Sequence, residues 1–352
     1  MITPSAAARR FREQAADRIL LTDGAFGTMI QSYRLQEADY RGDLDLKDDQ
    51  KGNNDMLVIT RPDVISEITR AYLDAGSDIV STNTFNANTI SQADYGAEHL
   101  VRDINLAAAR IAREAADEYE AKDGRPRFVA GAIGPTNKTL SLSPDVNDPG
   151  YRAVDFDTMR DVYGDQIAAL LDGGCDFILI ETIFDTLNAK AAVVAVLDES
   201  QRRGVEIPMM LSMTITDMSG RNLSGHSVEA FWFAVRHAHP LTIGLNCAFG
   251  ADQLRPHVQL ISQIADALVM IYPNAGLPND LGEYDEHPHE TGGKIEDWAD
   301  SGLINVVGGC CGTTPGHIAA MAKAVAHKAP RIIPRPVVAT HLTGLDPMTI
   351  AA

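Results

Sequence analysis

Cysteine is scarce, positive charge is in deficit, and long apolar runs are absent. Four cysteines in 352 residues, Cys175, Cys247, Cys310 and Cys311, are too few for a disulfide scaffold. Against 48 acidic residues stand 30 basic ones, a formal charge of −18. No basic patch interrupts that balance, which argues against nucleic acid or an anionic membrane as partner. No stretch approaches the roughly 18 apolar residues that span a bilayer. The segment from Ala6 to Asp17 mixes alanines with Arg9, Arg10, Arg12 and Glu13. It reads as an amphipathic helix and lacks the apolar centre of a signal peptide. No solenoid-type repeat is visible. A reducing cytoplasm is the expected compartment.

What is present is an alternation of short apolar runs and longer helical patterns, eight times over. The expected strands are Ile19–Thr22, Ile79–Thr82, Phe128–Ile133, Phe177–Glu181, Met209–Thr214, Thr242–Asn246, Leu268–Tyr272 and Ile304–Val307. Expected helices between and after them include Pro62–Ala75, Leu100–Tyr119, Phe156–Gly173, Asp185–Arg202, Ser227–His237, Ala251–Ala265 and Pro315–Lys328. Near-continuous apolar strands separated by helices indicate a parallel sheet covered on both faces. Eight repeats predict an α/β fold closed as a (β/α)8 TIM barrel, a size the chain accommodates. Three stretches break the rhythm, Gln31–Asn54, Thr136–Tyr151 and Asn274–Glu290. All three would be insertions at the C-terminal rim of the strands, where barrel enzymes build their sites. Residues 1–329 are expected to form one barrel, and 330–352, with Arg331, Pro334 and Pro336, a C-terminal linker or tail.

The chemistry-bearing residues gather at the predicted strand ends. Cys247 ends one apolar run; Cys310 and Cys311 follow another, inside Gly308-Gly309-Cys310-Cys311-Gly312. Adjacent strand residues point to opposite faces, so two neighbouring thiols converge only on irregular backbone, which the glycines permit. Three thiolates suit zinc with an open fourth position. Buried inert cysteines, or a vicinal disulfide between Cys310 and Cys311, are the plainer readings. The glycines also resemble a phosphate-binding loop. Cys175 precedes its strand and reads as structural. Asp23-Gly24-Ala25-Phe26 ends the first strand: its backbone N–H groups can hold a carboxylate and Asp23 an ammonium. Otherwise it is a simple glycine turn. Glu181 closes an apolar strand and is a candidate to bind an amine, against the alternative of a structural ion pair. Asn83, Asp217 and Asn246 are weaker rim signals. No histidine, His317 and the His287-Pro288-His289 pair included, shows metal-ligand spacing tied to a strand end.

Taken together, Asp23-Gly24-Ala25-Phe26-Gly27-Thr28, Gly244-Leu245-Asn246-Cys247-Ala248-Phe249-Gly250 and Gly308-Gly309-Cys310-Cys311-Gly312-Thr313-Thr314-Pro315 resemble the homocysteine S-methyltransferase family. Within that family the likeness is nearest to the N-terminal homocysteine-binding module of cobalamin-dependent methionine synthase. Thr82-Asn83-Thr84-Phe85 and Tyr272-Pro273-Asn274-Ala275-Gly276 belong to the same pattern. The resemblance runs from about Arg18 to Lys328. It implies zinc on Cys247, Cys310 and Cys311, the homocysteine sulfur in the fourth position, and the substrate's ammonium and carboxylate held by Asp23 to Phe26 and Glu181. Asn246 is counted with the substrate contacts. Betaine-dependent relatives place a tyrosine after the glutamate, where this chain has Thr182; Asn274 is the substitute resting ligand.

The implied activity is zinc-dependent methylation of homocysteine to methionine. Zinc deprotonates a bound thiol, and three cysteinates keep the site electron-rich, so the sulfur stays nucleophilic. The resemblance implies methylcobalamin as donor, carried by a cobalamin- and folate-binding module or subunit, the chain being either a stand-alone subunit or a fragment. A self-contained enzyme using S-methylmethionine, S-adenosylmethionine or betaine is the alternative. A non-catalytic zinc-binding docking module is another.

Overall fold

In the computed structural model, which describes residues 2–335 and 338–351, eight parallel strands form the barrel. They are β1 (Leu20–Leu21), β2 (Ile79–Ser81), β3 (Phe128–Ile133), β4 (Phe177–Ile183), β5 (Met209–Met213), β6 (Thr242–Gly250), β7 (Leu268–Asn274) and β8 (Val306–Val307). Each expected strand is present. Hydrogen-bonded neighbours run from β2 in order to β8, then β1. A bridge between Thr22 and Ile79, with Asp78 N donating to Leu21 O at 2.8 Å, brings β1 against β2 and nearly closes the ring. Almost every strand residue is buried, as a sheet covered on both faces requires.

Gly244 sets the closest approach in the ring. A Cβ there would lie 1.5 Å from Met270 O on β7, so no side chain fits. The helix Ala6–Asp17 seals the N-terminal end of the barrel, with Ser5 accepting from Ala8 N as its cap. Its Phe11 meets Phe128 and Phe177, the first residues of β3 and β4, edge-on at 5.3 and 5.2 Å. Nearby, the buried Asp78 accepts from Arg18, Arg125 and the N–H of Leu21. No described helix is long and apolar enough to cross a membrane.

Two elements differ from expectation. The third rim insertion ends in an unforeseen helix, Pro288–Asp300. Gly292 and Gly293 blur its apolar period, yet Gly292 lets it pack close to Ala320, and Ile295 and Trp298 are buried. The tail expected as a linker is partly ordered: β9 (Ala339–Thr343) and β10 (Pro347–Ala351) form an antiparallel hairpin. His341 stacks on Phe233 at 3.9 Å, and Arg221 pairs with Asp346 at 2.7 Å. Upstream, the buried Arg331 donates to the carbonyls of Ser262, Ala265 and Ala267. Pro336, named with that tail, lies outside the described residues.

Candidate metal centre

β6 pairs regularly with β7 as far as Asn246 and Tyr272, then breaks register before Gly250 meets Asn274. Inside this bulge Cys247 and Ala248 take left-handed backbone, φ 60° and 61°. Bulges of this kind re-aim a side chain near a site, and Cys247 is turned to the cavity. The second thiol pair sits in a tight turn after β8. Cys310 N donates to Pro273 O (2.8 Å), Ala275 N to Cys311 O (2.9 Å) and Thr313 N to Cys310 O (3.0 Å). Gly312 is left-handed, φ 79°, and a Cβ on it would meet Tyr284 at 2.3 Å.

The outcome is three Sγ atoms all within 4.8 Å of one another, with Cys247 and Cys311 at 3.7 Å. Tetrahedral zinc with Zn–S bonds of about 2.3 Å needs sulfurs roughly 3.8 Å apart, so the trio fits such an ion. All four cysteines are unbridged, so the vicinal disulfide is not formed. Hydrogen bonds from Cys247 and Cys310 hold the Cys311 thiol well below the usual thiol range. The same sharing, with burial and repulsion, pushes Cys310 well up. Cys175 is half-buried, its sulfur packed against Gly131 beside Asp176 and away from the trio, and desolvation pushes its thiol well up.

The thiols open into a cavity of about 690 Å³. Asp23, Gly24, Ala25, Phe26, Glu181, Cys247, Cys310 and Cys311, all expected site residues, line it. Asp23 accepts from Ser81 N (2.7 Å) and Ser81 Oγ (2.9 Å). Burial raises its carboxyl to about 6 against those bonds. Glu181 rises to about 7, through burial first, eased by the Tyr272 hydroxyl donating at 3.1 Å, then through the charges of Asp23 and Cys311. Neither acid has a cationic partner among the described residues.

Asn246 stands one layer behind the cavity wall rather than in it. Its Oδ1 accepts from Thr182 N (3.0 Å) and Ser212 Oγ (2.7 Å), while Nδ2 donates to Thr182 Oγ1 (2.9 Å) and reaches Cys310 Sγ (3.9 Å). Its amide is thus spent on the protein, which corrects the expectation of a direct substrate contact. Asn274 ends β7 beside the cysteine turn; its Oδ1 is buried without a partner among the described residues. His317 caps the last helix and bonds Glu286 O at 2.9 Å. Asp217 is spent on Ser219, whereas Asn83 lines the cavity and donates to Asn54 O.

Sequence reading missed Asp55 and Tyr284. Asp55 lies on the cavity wall, 4% exposed, accepting from Asn86 N at 3.1 Å; burial raises it to about 7. Tyr284, from the third insertion, lines the cavity and packs over Gly312, next to Cys311. Asp55 directly follows the first insertion and Tyr284 lies in the third, and the lack of periodicity in these stretches hides which side chains turn inward.

A sequence profile described as homocysteine S-methyltransferase matches residues 20–325. Among solved structures, the homocysteine methyltransferase MmuM from Escherichia coli in its oxidized form is similar at TM-score 0.71 and 19% identity, covering 91% of this chain and 99% of that one. Its metallated form gives TM-score 0.69 at 20% identity, covering 89% and 98%. At such identities the structural likeness speaks for the fold.

Proposed function

We propose that this chain, which belongs to the homocysteine S-methyltransferase family and is a methyltransferase, is a zinc-dependent enzyme that takes its methyl group from methylcobalamin on another module or subunit. The carrying observation is three sulfurs within 4.8 Å at the wall of a cavity that also holds Asp23 and Glu181, neither with a cationic partner among the described residues. Zinc held by Cys247, Cys310 and Cys311 would supply the charge that deprotonates a thiol in its open position.

The protein's own groups do the rest. Asp23 and Glu181 receive the ammonium of homocysteine, and the loop backbone from Gly24 to Phe26 receives its carboxylate. These anchors hold the sulfur at the thiol cluster, and positioning of that kind supplies much of a displacement's rate. Asn274 fills the resting site when no substrate is present, in keeping with its unpaired buried oxygen. In this reading the rim insertions Gln31–Asn54, Thr136–Tyr151 and Asn274–Glu290 are where a donor-bearing partner docks. A reactive trio of free thiols suits a reducing compartment, hence the cytoplasm. Residues 1–329 form the homocysteine-binding unit in this reading.

One observation favours the self-contained alternative. The cavity is large enough for a small donor beside homocysteine, and Asp55 on its wall would suit a cationic one. Purified protein with zinc and homocysteine is therefore offered methylcobalamin, S-methylmethionine, S-adenosylmethionine and betaine separately. Methionine formed from methylcobalamin alone supports the proposal; turnover with a small donor replaces it. In parallel, Cys310→Ala is expected to lose both zinc and transfer while the barrel stays folded. A fully active Cys310→Ala protein overturns the zinc reading.

A further inference from the structure

Three non-glycine residues near the thiols adopt left-handed backbone: Thr182 at φ 54°, with Cys247 and Ala248. For a β-branched residue such as Thr182 this conformation is an outlier, sustained only when the surroundings over-determine it. Here they do. Asn246 is 1% exposed and binds Thr182 reciprocally, accepting from its N–H at 3.0 Å and donating to its hydroxyl at 2.9 Å. Because a backbone N–H can only donate, Asn246 Oδ1 must face Thr182 N, which fixes the orientation of the amide. Ser212, from β5 between the two strands, locks the same oxygen at 2.7 Å.

Each partner is covalently joined to a working residue. Thr182 follows Glu181, the acid assigned to the ammonium, and Asn246 precedes Cys247, a thiol of the cluster. Tyr272, paired in register with Asn246, holds Glu181 from the other side. The separation between Glu181 and the sulfur cluster is therefore held by the Thr182–Asn246 pair, with Ser212 and Tyr272 bracing it. A substrate must span that separation with its carbon chain.

We infer that the Thr182–Asn246 pair is a positioning ruler that selects an amino thiol with two methylenes between Cα and sulfur over one with a single methylene. This rests on the function proposed above. A methylene in a fitted site is worth roughly 10- to 200-fold in discrimination. A backbone strained at one end and hydrogen-bonded at the other would relax if the pair were broken, blurring the distance.

The test compares homocysteine with cysteine as ligands of the zinc-loaded protein, by calorimetry, in wild type, Asn246→Ala, Thr182→Val and Thr182→Ser. Wild type should prefer homocysteine. Asn246→Ala and Thr182→Val should lower that preference about tenfold or more, with zinc content unchanged, and Thr182→Ser, which keeps the hydroxyl, should restore it. A purely structural pair would weaken both thiols equally or only lower thermal stability; an unchanged preference in Thr182→Val overturns the inference. Thr182→Val leaves the contact between Asn246 and Cys310 intact, so it decides the matter if Asn246→Ala fails to fold or to hold zinc. If wild type binds neither thiol, the failure lies with the proposed function rather than with the ruler.

Discussion

Replacing Glu181 by glutamine removes one charge and almost no volume. The hydroxyl of Tyr272, now donating to Glu181 Oε2 at 3.1 Å, keeps an acceptor in the amide oxygen, so the fold and the thiol cluster should stay intact. What goes is a charge-assisted bond to the substrate's ammonium, worth about 1.5–3 kcal/mol. That converts to about 10- to 150-fold weaker homocysteine binding, with Asp23 left as the one acid assigned to the ammonium. A second signature lies in pH. Burial holds Glu181 near 7 and Asp23 near 6 in the empty site, and an ammonium binds only their ionised forms. Wild-type affinity should therefore fall through two inflections as pH drops, at the Glu181 value and then at that of Asp23, superimposed on the slope that loss of the substrate's thiol proton gives wild type and variant alike. The variant should lose the upper inflection and keep the lower. Calorimetric titration of zinc-loaded protein with homocysteine, from about pH 5.5 to 8.5, reads both effects. Affinity within about twofold of wild type, or an unaltered pH profile, would refute the assignment.

Three further outcomes follow from the same coordinates. Asp55→Asn should stabilise the protein at high pH. The wild-type carboxyl rises from 3.8 to about 7 on folding, so its cost is absent below pH 3.8, grows as pH rises toward 7 and is constant above. The variant should gain on the order of 2–4 kcal/mol at pH 8 and little at pH 4; denaturant midpoints at both pH values would show it, and equal gains at both would contradict it. Arg331→Ala should cost about 3–5 kcal/mol, because it strips the donor from three buried carbonyls. A melting temperature unchanged from wild type would mean those carbonyls find other partners. Stripping the metal and adding a mild oxidant should join Cys247 to Cys311, whose sulfurs lie 3.7 Å apart. Titratable thiols would then fall from the four in the sequence to two, and a map showing Cys310 bridged to Cys311 instead would refute the pairing.

The barrel was legible because its strands are short apolar runs, seven of them where Ile, Val, Leu and Phe cluster and the fifth where methionines do. The thiol trio and the two acids were legible for a different reason: a polar residue ending such a run has nowhere to go but the rim. Inserted segments carry no such pattern. Nothing in Gly52-Asn53-Asn54-Asp55 announces that Asp55 turns inward, or in Leu281-Gly282-Glu283-Tyr284 that Tyr284 lines the cavity. Thr182 hid its role more completely, since a β-branched residue in left-handed backbone is the last conformation its type suggests. Asn246 was found as a rim group, but whether it faces substrate or scaffold depends on Ser212 and Thr182, one on the neighbouring strand and the other a strand beyond. The hairpin β9–β10 was missed because its alternation is faint, with half-covered and open positions in turn.

Gly244 lies three residues before Cys247, about 10 Å along the strand, and owes its place to the carbonyl oxygen of Met270. Strand six is wedged there like a key with one blank tooth. Adding a single methyl would pry the two strands apart below the thiols and swing Cys247 off its mates. Sequence drift at that residue would disarm the chemistry without ever touching a group that performs it.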